Sequence, residues 1–421
     1  MDIDEWAYEG SRMAQIYTNA YLTIAASASH SGDQGLLNRR HTTRRLDIVQ
    51  NDKSFAVWIR DIIRHEFLDD LSVPFWSATD LPLRKRAWCF QEELLSTRIV
   101  HFTKDEIVFV CRAATTCECD PRWQSRFQLP PIVGTSSESP CDIWNSVVKH
   151  YSERQISFWE DKLPALSSLT RHFEENGGNY FAGHWLFHMP GSLLWWSQRS
   201  KRPKQAHDAP SRPPSWSWAS VEGAVHYTKF SDVQDVAKLL HMCIYPGTVD
   251  PRGIVSGGHM TLQAPLFPLR GVWKEQYSAW RYFLDNNNGD RRFKSCFAFS
   301  PGWASELRWP EEEDCYCVLD DPTSPPPLLS NRVIDTPMFL LVIRTIDNCW
   351  PHVGIPPPGG CGFLGLLLQP LEDLDDDQTK TMERLESKLS FVRIGFGGMS
   401  LSKEDGEEAM NRFKDTVVTI F

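Results

Sequence analysis

Within the stretch Trp88-Cys89-Phe90-Gln91-Glu92 an indole and a carboxylate stand four residues apart, and on a helix that spacing puts them on one face. A carboxylate so placed can stabilise a developing positive charge or accept hydrogen bonds from hydroxyls. The Trp88 ring can pack against a ligand ring or only against the core. Glu92 can equally order its own helix by pairing with Arg84, Arg86 or Arg98. Both readings stay open here. Glu9 is a second carboxylate on a helical stretch, and a structural part suits it better.

Other patterns carry less chemistry. Residues 360–365 read Gly-Cys-Gly-Phe-Leu-Gly, but they follow three prolines and lead into a strand pattern, whereas a dinucleotide fingerprint follows a strand and opens a helix. His101 with Cys111, Cys117 and Cys119 matches no standard zinc spacing, so no metal site is expected. Cys315 and Cys317 share one face of a strand pattern and are read as core. Ser215-Trp216-Ser217-Trp218 alternates with period two, which would put both indoles on one sheet face, more simply as core than as a stacking platform for a ligand. There is no P-loop, nucleophile elbow or H-E-x-x-H pattern.

The elements that must position these residues follow from periodicity. Residues 4–20 read as a helix, with Trp6, Met13, Ile16, Tyr17 and Ala20 at helical spacing and acidic residues at the positive end. Residues 21–26 read as a buried strand, and Phe55, Val57 and Ile59 as a half-buried one. Residues 83–96 predict a second helix, followed by a hairpin of 98–102 with 106–111. Further helices are expected around 143–151, 163–169 and, broken by Pro190-Gly191, 180–196. Residues 125–139 and 201–214 read as linkers, and 371–377 as a solvated acidic loop. From 215 onward strands dominate, at 215–220, 260–266, 315–319, 338–346, 363–369 and 389–396, which predicts a sandwich or barrel-like sheet.

Composition bounds the rest. The chain has 421 residues, enough for two or three domains, and 17 Trp with 23 Phe predict an aromatic core. A net charge of −10 lacks the basic footprint of a nucleic-acid binder. The eleven cysteines are scattered and the N-terminus has no apolar leader, so free thiols in a reducing cytoplasm are expected. The longest apolar runs are strand-sized, which predicts no membrane span.

Several blocks in order resemble fungal heterokaryon-incompatibility (HET) domain proteins. Residues 4–20, with Trp6, Glu9, Met13 and Tyr17, followed by Leu22-Thr-Ile-Ala-Ala, are similar to that family's acidic-Trp block and its Thr-Ile-Ala strand. Arg86-Ala-Trp88-Cys-Phe-Gln91-Glu92-Glu-Leu-Leu-Ser is similar to the block that closes the HET domain. Downstream, Trp144 to Ala165, Tyr180 to Trp185 and Pro214 to Ser220 resemble segments of long HET proteins. The family's opening blocks, a Leu-Ser-Tyr-x-Trp-Gly strand and a Trp-Ile-Asp strand, do not occur here, so the expectation is a HET domain shortened at its N-terminus.

The resemblance implies an α+β, multi-domain chain. It would hold a partial α/β HET domain at 1–112 (a Toll/interleukin-receptor-like, or TIR-like, open sheet), a helical middle region at 113–212 and a β-rich domain at 213–421. It implies non-self recognition and programmed cell death. Some TIR relatives cleave NAD with a Glu in a Trp-Cys-x-x-Glu pattern, which implies NAD as substrate, Glu92 as catalytic group and Trp88 as a contact to the nucleotide. The rival expectations are a non-enzymatic module that self-associates or binds a protein partner, and a shortened family member without activity.

Overall fold

The structure, a computed structural model, describes residues 3–37, 44–50, 53–59, 81–104, 106–118, 124–125, 139–174, 178–197, 212–227, 233–248, 250, 252–274, 279–284, 296–299, 315–319, 338–347, 361–371, 389–401, 403–412 and 415–421. They fall into two compact units, Met1–Ile143 with Glu153–Phe173, and Trp144–Ser152 with Glu174–Phe421. Both helices and strands build the molecule, as the α+β reading expects.

In the first unit, α1 (Ile3–Asn19) leads into β1 (Thr23–Ala25). A ribbon of β2 (Arg44–Gln50) and β3 (Lys53–Ile59) follows. Then come α2 (Trp88–Leu95), β4 (Arg98–Phe102), β5 (Ile107–Cys111), β6 (Thr115–Cys117) and β7 (Gln124–Ser125). Five of these strands form one open sheet in the order β1-β4-β5-β6-β7. Only β1–β4 is parallel, with Thr23 opposite Ile99 and Ala25 opposite His101. A parallel neighbour needs a crossover, and α2 lies in the connection between the two. The α1 and α2 helices pack together, so both helices belong to the unit whose sheet pairs β1 with β4. The β4–β5 hairpin alternates as the sequence predicts, burying Ile99, His101, Val108 and Val110.

In the second unit, the last nine residues of α3 (Pro140–Ser152) meet a run of short elements. The helix α4 (Pro164–Glu174) belongs to the first unit except for its final residue. The short elements are β8 (Tyr180–Phe181), β9 (His184–Trp185), β10 (Trp195–Ser197) and β11 (Val225–Tyr227). Ten longer-range strands follow: β12 (Val233–Asp235), β13 (Lys238–Pro246), β14 (Val255–Lys274), β15 (Ala279–Leu284), β16 (Cys296–Phe299), β17 (Cys315–Leu319), β18 (Met338–Asp347), β19 (Cys361–Pro370), β20 (Leu389–Leu401) and β21 (Asp415–Ile420), with α5 (Lys403–Arg412) before the last. The path β18-β19-β20-β17-β16-β15-β14 closes because β14 also pairs β18. This gives the barrel-like sheet that the strand spacing predicts. Strand β14 spans 20 residues and serves four partners along its length, β13, β21, β18 and β15.

An aromatic cluster fills the space beside this sheet. Trp144, Trp185, Trp195, Trp216 and Trp218 are all fully buried. The indoles of Trp144 and Trp218 both donate to the Gly183 carbonyl, at 3.0 and 2.8 Å. Gly183 has φ +98, and a Cβ there would meet the Trp218 ring, so only glycine serves.

Four expectations change. Residues 180–196 form no α-helix but the β8–β9 pair, two 3-10 turns and the start of β10, because Ala182 (φ 43) and Gly183 turn the chain left-handed and Pro190 lacks an N–H. The Ser-Trp-Ser-Trp segment is not a strand. Ser217 caps a 3-10 turn, accepting from the Ala219 N–H at 3.0 Å, and both indoles are buried without sheet alternation. The strand containing Phe55 forms but is exposed along its whole length, since the β2–β3 ribbon pairs with no other described strand. The helix expected at 83–96 begins only at Trp88. Arg86 is extended, because the Ala87 N–H donates to the Gln155 carbonyl at 2.9 Å and the Gln155 N–H to the Lys85 carbonyl at 2.6 Å. Most of the expected linkers 125–139 and 201–214, and of the acidic run 371–377, lies outside the described residues, as do Cys119 and the side chains of Cys315 and Cys317.

Candidate active-site pocket on the first unit

Two adjacent carboxylates of α2 meet different fates. Glu93 is buried and holds Arg84 at 2.8 Å and Arg154 at 3.2 Å. Arg154 arrives because the Gln155 bridge carries its segment alongside Arg86, and its guanidinium also lies 4.6 Å above the Phe90 ring. Burial alone would raise the Glu93 pKa, but the two guanidiniums outweigh it and hold it down at about 2. Glu92, the candidate of the sequence reading, forms none of the ion pairs offered by Arg84, Arg86 or Arg98. Tyr17 of α1 and Cys89 of α2 instead line the same pocket beside it. Its pKa is raised, chiefly by burial, against the opposing influence of those two side chains and the charges of Arg86 and Arg154.

Tyr17, Cys89 and Glu92 line a pocket of about 70 Å³, together with Ser27, Arg84, Glu93 and His101. Burial, with Glu92 as the second cause, raises the Tyr17 pKa and pushes the Cys89 thiol up to about 12, so both stay protonated donors at neutral pH. On the far side Ser27 shares a 2.9 Å hydrogen bond with His101 Nδ1. Burial drops the His101 pKa to about 4 despite the attraction of Glu93, which leaves a neutral imidazole at pH 7. The pocket thus offers one carboxylate that forms no ion pair with an arginine among the described residues, the protonated side chains of Tyr17 and Cys89, and a neutral Ser–His pair.

The remaining predicted residues spread around α2. Trp88 is half-buried and outside the pocket lining; its indole donates to Asp161 at 3.1 Å and its ring faces Gly10 of α1. Gln91 is fully buried, with no partner for its carboxamide among the described residues. Arg86 is exposed, and Met13 is half-buried on α1. The backbone of α1 carries Trp6 and Glu9, whose side chains lie outside the described residues. His101 and Cys111 are engaged separately, the Cys111 thiol with the Ala114 carbonyl at 3.4 Å. Among the described residues no group of three or more His, Cys, Asp or Glu could hold a metal ion.

Sequence reasoning missed Cys89 as a pocket residue, the Ser27–His101 pair, and Glu93 as the true arginine partner. Arg154, one of the two partners of Glu93, and Ser27, the partner of His101, lie 61 and 74 residues away, so local spacing carried no signal for them.

No curated protein and no solved structure matches the chain. No helix among the described residues is long and apolar enough to cross a membrane. Residues 1–92 match the family model described as Heterokaryon incompatibility protein (HET). The match contains α1, β1, the β2–β3 ribbon and five of the eight residues of α2, so over its first 92 residues the chain is similar to the HET family.

Proposed function

We propose that the chain acts in heterokaryon incompatibility as a non-self recognition effector, and that its HET segment promotes cell death by cleaving NAD at the Glu92 pocket. The observation that carries this reading is the state of Glu92: a helix-borne carboxylate, partly desolvated, lining a cavity and forming no ion pair with an arginine among the described residues. Breaking the bond between nicotinamide and ribose builds oxocarbenium-like positive charge, and a fixed carboxylate in a low-dielectric wall stabilises that charge far better than water does. At about 70 Å³ the cavity is smaller than typical small-molecule sites of about 300–1,000 Å³. It therefore receives the ribose edge, and the rest of the dinucleotide lies outside it. Trp88, turned to Asp161, takes no part in this version of the site.

The test is NAD turnover by the full chain and its Glu92→Gln variant. Loss of one such electrostatic group costs on the order of 10²–10³-fold in kcat, and unchanged turnover removes Glu92 from the mechanism.

A second reading, a module that self-associates or binds a protein partner, is favoured by the β2–β3 ribbon. Its register puts Leu46 opposite Val57 and Ile48 opposite Phe55 on one face, next to Ile59, and all five side chains are exposed. An isolated two-stranded ribbon is marginal in water, so this apolar face is a natural contact surface. NAD cleavage by purified protein separates the readings, because only the first requires it.

A further inference from the structure

The β2–β3 ribbon is regular along its whole length. Its two strands pair over seven residues each without a bulge, from Arg44 opposite Ile59 to Gln50 opposite Lys53. Neither strand pairs with any other described strand, so the outer edge of β2 presents a row of backbone groups. β2 has neither a proline nor a bulge, two devices that commonly blunt such an edge. One face of the ribbon carries the exposed Leu46, Ile48, Phe55, Val57 and Ile59. The other face carries Arg45 and Asp47, two residues apart on β2 and joined by a 2.9 Å ion pair, with side chains 57% and 55% exposed. An ion pair so open to water is worth little, so its members exchange partners at small cost.

We propose that the outer edge of β2 docks β2 of a second copy of this chain, antiparallel and centred on Leu46, so that two ribbons form one four-stranded sheet. This deepens the self-association reading above and rests on it. Charge selects both the occupant and the register. A two-fold axis at Leu46 sets Arg45 opposite the partner's Asp47 and Asp47 opposite the partner's Arg45. Opposite charges directly across two strands attract, and like charges repel. An axis at Arg45 or at Asp47 would put like charges opposite each other, and an axis at Ile48 would leave Asp47 opposite the partner's Val49. The edge of β3 offers no such match, because Lys53 is its one charged residue. The register also keeps the faces apart. Residues opposite each other differ by an even number, so Leu46 and Ile48 of both copies extend one apolar face beside Phe55, Val57 and Ile59. Two strands alone are marginal in water, whereas a wider sheet with a shared apolar face is not. The contact is the same on both sides, so it closes at two copies.

The experiment is sedimentation equilibrium of the full chain at low salt. Wild type forms a reversible dimer. Asp47→Arg sets like charges across the axis at two places and raises the dimer Kd by on the order of 10-fold. Adding Arg45→Asp to that variant restores opposite charges in the reversed sense and returns the Kd to near wild type. A Kd that ignores Asp47→Arg, or that the double exchange does not rescue, overturns the β2 register while self-association stands. A wild-type chain that stays monomeric overturns both. Dissociation by Phe55→Ser with no response to Asp47→Arg puts the contact on the apolar face and overturns the edge. Hydrogen exchange of wild type needs no variant to fold: β2 amides become protected as protein concentration rises and β3 amides do not. Equal protection of both strands, or of neither, overturns the proposal. None of these measurements reads NAD turnover, so failure of the catalytic reading leaves them intact.

Discussion

The two units bury charge in opposite ways. The first unit sets opposite charges against each other: Glu93 between Arg84 and Arg154, with His101 nearby. The second buries Arg393 completely over the face of Trp195, its guanidinium 3.4 Å from the ring centroid, donating to the carbonyls of Leu193 and Trp195 at 2.6 Å each. An ion pair repays desolvation only while both partners are charged. Carbonyls and an indole face do not titrate. The first unit's core therefore answers to single-charge changes and to acid through its carboxylate. Among the described residues, the buried group through which the second unit answers to acid is a histidine, His184.

The largest effect expected from breaking this contrast is that of Glu93→Gln. It leaves Arg84 and Arg154 in a buried wall without their counter-charge, and removing one partner of a buried pair costs about 3–5 kcal/mol. Urea unfolding, followed by hydrogen exchange of β4 and β5 for the first unit and of β18 and β19 for the second, reads the two separately. Loss confined to the first unit fits the contrast. A loss below about 1 kcal/mol would show that the arginines find other partners.

The sequence made the scaffold legible and left the pairings hidden, for physical reasons that differ by residue. Periodicity placed α1 within a residue or so of its ends and matched β17 at both, because burial of one face imposes a repeat that survives in the chain itself. Trp216 and Trp218 misled because period two also arises when a capped 3-10 turn drives two indoles into one cluster. Whether Glu92 or Glu93 meets arginine was invisible, since they differ by one residue on a helix and the deciding partner, Arg154, comes from the Gln155 bridge. Resemblance named Tyr17 as a motif residue, but the pocket it lines comes from the packing of α1 on α2, which local spacing does not record.

Acid should separate the units next. Glu93 has a folded pKa of about 2 against an ordinary 4.5, so its contribution is full above pH 4.5 and is lost as pH falls through 2. His101 is depressed to about 4 from 6.5. Its neutral form is buried, the unfolded chain takes up the proton first, and stability falls as pH drops from 6.5 toward 4. His184 in the second unit, depressed by burial to about 3, acts in the same sense over 6.5 to 3. Each such histidine gives a slope of at most about 1.4 kcal/mol per pH unit. Urea midpoints of both units should decline below pH 6.5, with a further decline below pH 4.5 for the first. His101→Gln should flatten the upper window of the first unit and leave the second untouched; a slope unchanged in both would mean His101 already titrates normally.

The smallest expected effect sharpens the comparison at the surface. Most large apolar side chains exposed among the described residues lie on the first unit, the β2–β3 ribbon foremost, while the second unit exposes fewer, Phe187 and Tyr245 among them, and buries five tryptophans. Phe55 is 50% exposed and Val108, in the same alternating pattern on β5, is 0%. Only the second has a face of the sheet to fill. Phe55→Ser should therefore change the first unit's urea midpoint by no more than about 0.5 kcal/mol, the range of ordinary surface substitutions. Because Phe55 lies opposite Ile48 in the ribbon's apolar stripe, the same substitution should weaken any self-association measured by sedimentation. A large stability loss in dilute monomer would mean that the ribbon is covered from within the chain, and the surface contrast between the units would disappear.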